Sequence, residues 1–267
     1  MSDYVTINVE DGVADVRLNR PEKLNAVDGK MFRAIVEAGE SLKDRSDVRV
    51  AVLSGNGRSF CAGLDFSSFQ AMESSSGENS ENSAPIDLLE GRMTHMGQQA
   101  AWVWQELEIP VICALEGHAL GAGFQIAMGP DIRIVHPDTK MSVLEIRWGL
   151  VPDMGASVLL PPLVGIDKTK ELYFTGKMIT GTEAVELGVA TRTSAEPLKA
   201  AMELANEIAN KNPDAIRRMK TILNGVAENS TAERFAVERE NIGALIGTAN
   251  QKEAVRAFFE KREPVFE

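Results

Sequence analysis

Cysteine is nearly absent from this chain: Cys61 and Cys113 are the only two, each beside apolar neighbours and without a second cysteine nearby. That excludes a disulfide framework and a Cys-x-x-Cys metal site. It fits a reducing compartment, so a cytoplasmic location is expected. Histidine is scarce too. His95, His118 and His136 fall on a predicted helix, in a glycine-rich turn and after a predicted strand. No serine or cysteine nucleophile motif accompanies them, which argues against a peptidase-type triad and against a metal centre. Only His118 is expected near the site inferred below, with packing or polar lining as its role. Positive charge is short as well: 28 Lys and Arg face 39 Asp and Glu, for a formal net charge of −11. A broad positive field for nucleic acid or anionic lipid is therefore excluded, and an anionic ligand must meet local basic groups. No apolar run approaches the roughly 20 residues a bilayer span requires, and the polar MSDYVTINVEDG start reads as a strand, not a signal or anchor.

What is present has ordinary globular proportions, 44 % hydrophobic and 25 % charged over 267 residues, enough for one large core with an appendage. Apolar and polar residues alternate around Asp11-Gly12, which predicts a two-residue-loop hairpin over about 3 to 19. Met31, Ile35, Val36 and Leu42 recur at helical spacing between Asp28 and Arg45, and the β-branched run VRVAVLSG then reads as a buried strand. A second pass follows: a helix from Leu88 to Leu107, the strand VICALEG, the small-residue turn GHALGAG and the strand DIRIVH. The element order suggests a coiled stack of ββα units without sequence repeats. Ser74 to Pro85 is too polar to pack and reads as a loop, either a ligand-gating flap or a tolerated insertion. After Pro161-Pro162 the pattern is almost wholly helical, with stretches at 197–210, 213–226, 231–245 and 251–262. This divides the chain into a core, 1–196, and a helical region, 197–267, whose apolar positions suit core packing or a subunit interface.

Two small-residue turns follow buried strands, SGNGRSFCAGLD at 54–65 and EGHALGAGFQ at 116–125. Each can present backbone N–H groups, and the helical pattern starting near Gly121 aims its first free amides outward. Together they suit a two-donor oxyanion hole. Neither matches a phosphate-binding or dinucleotide fingerprint, because Gly55-Asn56-Gly57 lacks a third glycine and opens no helix.

Several separated motifs carry a resemblance that covers nearly the whole chain: RPEKLNA at 20–26, SFCAGLD at 59–65, PVICALEGHALGAG at 110–123, DIRIV at 131–135, LEIRWGLVPDMGAS at 144–157, and TG with EAVELGVA at 175–190. In order and spacing they resemble the crotonase, or enoyl-CoA hydratase/isomerase, superfamily. The resemblance implies an α/β fold, a spiral of ββα units carrying acyl-CoA, with a C-terminal helical trimerisation region and assembly as a homotrimer or a dimer of trimers. It places the oxyanion amides at Leu64 and Ala122. CoA would run along Lys23, Leu24, Ala62 and Asp65, with Phe258 and Lys261 reaching the CoA of an adjacent subunit. For Lys261 a solvated helix-end charge is the alternative. CoA is part of the substrate, and no further cofactor is implied.

The catalytic positions depart from those of the hydratase relatives, which carry two glutamates. The first falls on Gln125, a carboxamide that can orient a water but cannot take or give a proton. The second is retained as Glu145, among apolar neighbours that favour a raised pKa. Asp153 matches a third acidic position of dienoyl-CoA isomerases, or else caps a helix beginning near Met154. One carboxylate suffices to shuttle a proton, so double-bond isomerisation is favoured over hydration of a 2-enoyl-CoA. A non-catalytic acyl-CoA-binding protein is the reading from another class.

Overall fold

The computed structural model describes residues 3–65, 87–225 and 230–267. The sequence opens as its alternation predicts: β1 (Val5–Glu10) and β2 (Val13–Leu18) pair antiparallel, with Glu10 opposite Val13. Asp11 and Gly12 both have positive φ, 50° and 79°, which a type I′ hairpin turn requires. Helix α1 (Gly29–Lys43) starts where the Asp28 side chain accepts from the Lys30 and Met31 amides, and it buries Met31, Ile35, Val36 and Leu42. Strand β3 (Val50–Gly55) then joins β2 in parallel.

Helix α2 spans Met96–Glu106, shorter than the expected 88–107. Its first part is instead a turn: the Leu89 amide donates to Thr94 O, Leu88 bridges His95, and Gly91 adopts a φ of 69°. The helix starts late because His95, an uncommon N-cap residue, forms a capping box with Gln98. Beyond it come β4 (Val111–Leu115), β5 (His118–Leu120), α3 (Ala122–Met128), β6 (Ile132–Val135) and β7 (Lys140–Ser142). A 3-10 turn at Glu145–Trp148 leads into the helices α4 (Ala156–Leu159), α5 (Pro161–Val164), α6 (Ile166–Thr175) and α7 (Gly181–Leu187), then β8 (Arg192–Thr193). β7 and β8 are strands that sequence periodicity misses, because three and two residues are too few to show a period.

The main sheet runs β1-β2-β3-β4-β6-β8, antiparallel at the hairpin and parallel beyond it, and β5 pairs with β7 in a small second sheet. Successive side chains in β3 and β4 divide between two cores. Ala51, Leu53, Val111, Cys113 and Leu115 pack with α1, α2 and α3, whereas Val50, Val52, Ile112 and Ala114 face the other way. That second face is covered by α8 (Pro197–Ala209), whose Ala201, Ala205 and Ala209 recur every four residues and let helix and sheet approach closely. The first helix of the C-terminal region thus completes the core of the sheet. Helices α9 (Pro213–Asn224), α10 (Thr231–Leu245) and α11 (Ala249–Glu260) follow. α9 is tied to the core by buried Lys220, whose ammonium donates to Trp104 O and Ile109 O and pairs with Asp131 at 2.9 Å. No helix among the described residues is long and apolar enough to cross a membrane. The Ser74 to Pro85 segment lies outside the described residues.

Candidate active site

The loop after β3 is stitched on both sides. The Val27 amide donates to Gly63 O and the Asp65 amide to Val27 O, at 2.8 and 2.9 Å. On the other side Cys61 N donates to His118 O and Leu120 N to Cys61 O, at 2.8 and 3.1 Å. Backbone N–H groups alternate in direction along extended chain, so with Asp65 N turned to Val27, the Leu64 amide faces away from it. α3 begins alongside, and its first residue, Ala122, carries an amide outside the helix ladder. Among the described residues neither the Leu64 nor the Ala122 amide donates to a backbone carbonyl. The approach of α3 to the loop depends on Gly123: a Cβ there would lie 2.4 Å from Cys61 O. Burial pushes the Cys61 thiol up to about 12, so this cysteine is packing and not a nucleophile.

Leu64 and Ala122 both line a cavity of about 740 Å³ that is predominantly apolar. Glu145 and Asp153 stand on its wall, as do Lys23, Leu24, Ala62 and Asp65. Gln125 lies just behind it, fully buried in α3. Its carboxamide is committed at both ends: Nε2 donates to Glu145 Oε1 at 2.7 Å, and Oε1 accepts from the Met154 amide at 2.8 Å. The other carboxylate oxygen, Glu145 Oε2, is buried and has no hydrogen-bond partner among the described residues. Burial raises the Glu145 pKa, the backbone amides of Glu145 and Leu144 and the Gln125 hydrogen bond oppose the rise, and the charge of Asp153 adds to it. The Tyr173 hydroxyl is likewise buried without a partner among the described residues, and its phenol is pushed up to about 12 by burial and by the Glu145 charge.

The family model for enoyl-CoA hydratase/isomerase matches residues 8–267. The chain belongs to the enoyl-CoA hydratase/isomerase family. It is 32 % identical to a short-chain-enoyl-CoA hydratase of Clostridium acetobutylicum over 97 % of this chain and 95 % of that one. It is 29 % identical to a peroxisomal Delta(3,5)-Delta(2,4)-dienoyl-CoA isomerase of Arabidopsis thaliana, over 100 % of this chain and 98 % of the other. Its fold matches the crystal structure of an enoyl-CoA hydratase from Mycobacterium tuberculosis H37Rv with a TM-score of 0.85 at 29 % identity, covering 100 % and 99 % of the two chains. The crotonase-type α/β fold expected from the motifs is the fold of this chain, and hydratases and isomerases both stand among its relatives.

Of the residues singled out in the sequence, eight line one cavity, and Gln125 touches it through Glu145. Phe258 and Lys261 do not: they sit at the exposed end of α11, away from this chain's own cavity. Asp153 is not a helix cap, because α4 starts at Ala156 after Gly155. Asp65 is held in an ion pair with Arg20 at 2.8 Å, and Arg20 also pairs with Asp28 at 3.2 Å. This fixes the loop and leaves Asp65 shaping the site. The histidine expectation is corrected. His118 bonds Ser59 Oγ at 2.8 Å and is absent from the cavity lining, whereas buried His95 is part of it. Sequence reasoning also missed Arg58, a basic group at the cavity flanking SFCAGLD, and buried Asn25. Asn25 holds the RPEKLNA turn to the loop by donating to Asn56 O and Ser59 O, at 3.0 and 2.8 Å.

Proposed function

We propose that this chain isomerises the double bond of an enoyl-CoA, with Glu145 as the sole proton carrier. The carrying observation is the state of the two catalytic positions. Gln125 spends its amide on Glu145 and its carbonyl on Met154, while Glu145 keeps one oxygen beside the cavity that no described residue pairs. In this reading the thioester carbonyl accepts from the Leu64 and Ala122 amides. Glu145 takes a proton from the carbon next to the thioester, negative charge gathers on the held oxygen, and the proton returns at the far end of the former double bond. A raised pKa suits a group that must be both base and acid within one turnover. CoA lies along Lys23, Leu24, Ala62 and Asp65, with Arg58 adding local positive charge to an acidic chain, and the acyl group occupies the apolar part toward Trp148, Leu150 and Val151. No cofactor enters the step beyond the CoA of the substrate. Asp153 is close enough to influence Glu145 by charge and is the group to compare for dienoyl substrates.

Hydration of a 2-enoyl-CoA is the alternative, favoured by the hydratase names among the relatives and weakened by the missing second carboxylate. The two separate when purified protein is assayed on 2-enoyl, 3-enoyl and 3,5-dienoyl-CoA beside its Gln125→Glu and Asp153→Asn variants. Isomerisation of the 3-enoyl substrate and at least a tenfold gain of hydration in Gln125→Glu are expected. Fast hydration by the unaltered chain contradicts the isomerase reading, and acyl-CoA binding without turnover on any substrate contradicts catalysis altogether.

A further inference from the structure

The partner of Glu145 is itself held in place from a direction the sequence does not reveal. The peptide unit between Asp153 and Met154 is gripped at both ends. His95 Nε2 donates to the Asp153 carbonyl at 3.1 Å, and the Met154 amide donates to Gln125 Oε1 at 2.8 Å. The His95 tautomer follows from its other nitrogen. Gly97 N donates to Nδ1 at 3.1 Å, so Nδ1 is the acceptor and the proton sits on Nε2, where the Asp153 carbonyl takes it. With the peptide fixed in this sense, the oxygen of the Gln125 carboxamide must face Met154, and its NH₂ faces Glu145 at 2.7 Å. Were the peptide to turn over, its carbonyl would face Gln125. The carboxamide would invert, and an oxygen would confront the Glu145 carboxylate where a donor now stands.

We propose that His95 is a positioning residue for Glu145, acting through the Asp153–Met154 peptide and the orientation of Gln125. The inference rests on the reading of Glu145 as the proton carrier and extends it to the element that aims it. His95 can hold this post because it also caps α2, so its ring is anchored by a local contact at Nδ1 while Nε2 reaches a loop 58 residues away.

The two nitrogens can be tested apart. His95→Asn keeps a short-range acceptor for Gly97 N but cannot reach Asp153, whereas His95→Gln keeps a donor at the longer reach and gives up the cap. His95→Asn is expected to melt close to the unaltered protein yet lose about tenfold in kcat with KM little changed. His95→Gln is expected to melt about 2–4 °C lower while restoring kcat to within about threefold. In a Gln125→Leu background His95→Asn is expected to add no more than about twofold, because the two residues act in series. Activity that simply follows Tm across the pair, or losses that multiply in the double variant, would overturn the proposal. Activity retained in Glu145→Gln would sink the proton-carrier reading and this inference with it. An inactive Glu145→Gln with an unaffected His95→Asn would sink the positioning role alone.

Discussion

Burying an ionisable carboxyl against an apolar cavity is unfavourable to the folded state, and Glu145 is held that way, with one oxygen that no described residue pairs. Its pKa is raised on folding, so the folded chain binds this proton more tightly than the unfolded one. The stability this contributes is fully present below the unfolded value of 4.5 and is lost as pH rises through the folded pKa. Replacing Glu145 by the isosteric Gln removes the charge and keeps an acceptor for Gln125 Nε2. Glu145→Gln is therefore expected to be more stable than the unaltered chain by about 1 kcal/mol near neutral pH. Thermal melts across pH are expected to show that advantage shrinking as pH falls toward the unfolded value. An advantage independent of pH would mean that the penalty does not come from ionisation.

At the scale of elements, the site is a matter of how closely α3 can approach the loop after β3. Gly123→Ala would set a Cβ 2.4 Å from Cys61 O and 2.9 Å from Cys61 Sγ, and a backbone carbonyl cannot yield as a flexible side chain can. Either the loop or the helix must shift, separating the Leu64 and Ala122 amides that we propose hold the thioester oxygen. The expected result is a loss of about 10²-fold in kcat, the scale of a misplacement near 1 Å, with destabilisation of about 1–3 kcal/mol. Steady-state kinetics and a denaturant melt on one preparation check both.

These elements also mark how much was readable beforehand. That Glu145, Leu64 and Ala122 meet at one cavity with Gln125 against Glu145 was legible because each sits at a fixed place in a motif, and the hairpin because Asp11-Gly12 can meet the positive φ its turn demands. His95 was not. Histidine is an uncommon cap, and the contact through which we propose it acts is to a backbone carbonyl brought close only by the tertiary fold. For the same reason the ion pair that engages Asp65 could not be seen, since Arg20 and Asp65 meet across 45 residues only once the turn at Asn25 is folded.

At the scale of the whole molecule, the C-terminal helices leave much apolar surface uncovered. Leu223 on α9, Phe235 and Ile242 on α10, Ile246 after it, and Phe258 and Phe259 on α11 are all more than half exposed. Those two phenylalanines stack edge to face, at 5.6 Å between ring centroids, on the same helix that ends at Lys261. Apolar area of this kind is ordinarily covered by a partner. We propose that copies of this chain cover it in a trimer or a dimer of trimers, which would also bring Phe258 and Lys261 to a neighbouring cavity. Sedimentation is expected to give a multiple of three protomers, and Phe235→Asp with Ile246→Asp is expected to dissociate it. A monomer at assay concentration would contradict this, and Lys261 would then be a solvated charge.

All of these scales converge on one carboxylate, and the direct test is a single-turnover measurement of 3-enoyl-CoA isomerisation by Glu145→Gln beside the unaltered chain, with acyl-CoA affinity measured in parallel. If Glu145 alone carries the proton, the rate falls by about 10³-fold or more while the affinity stays within about threefold. A rate within tenfold of the unaltered chain would contradict the account.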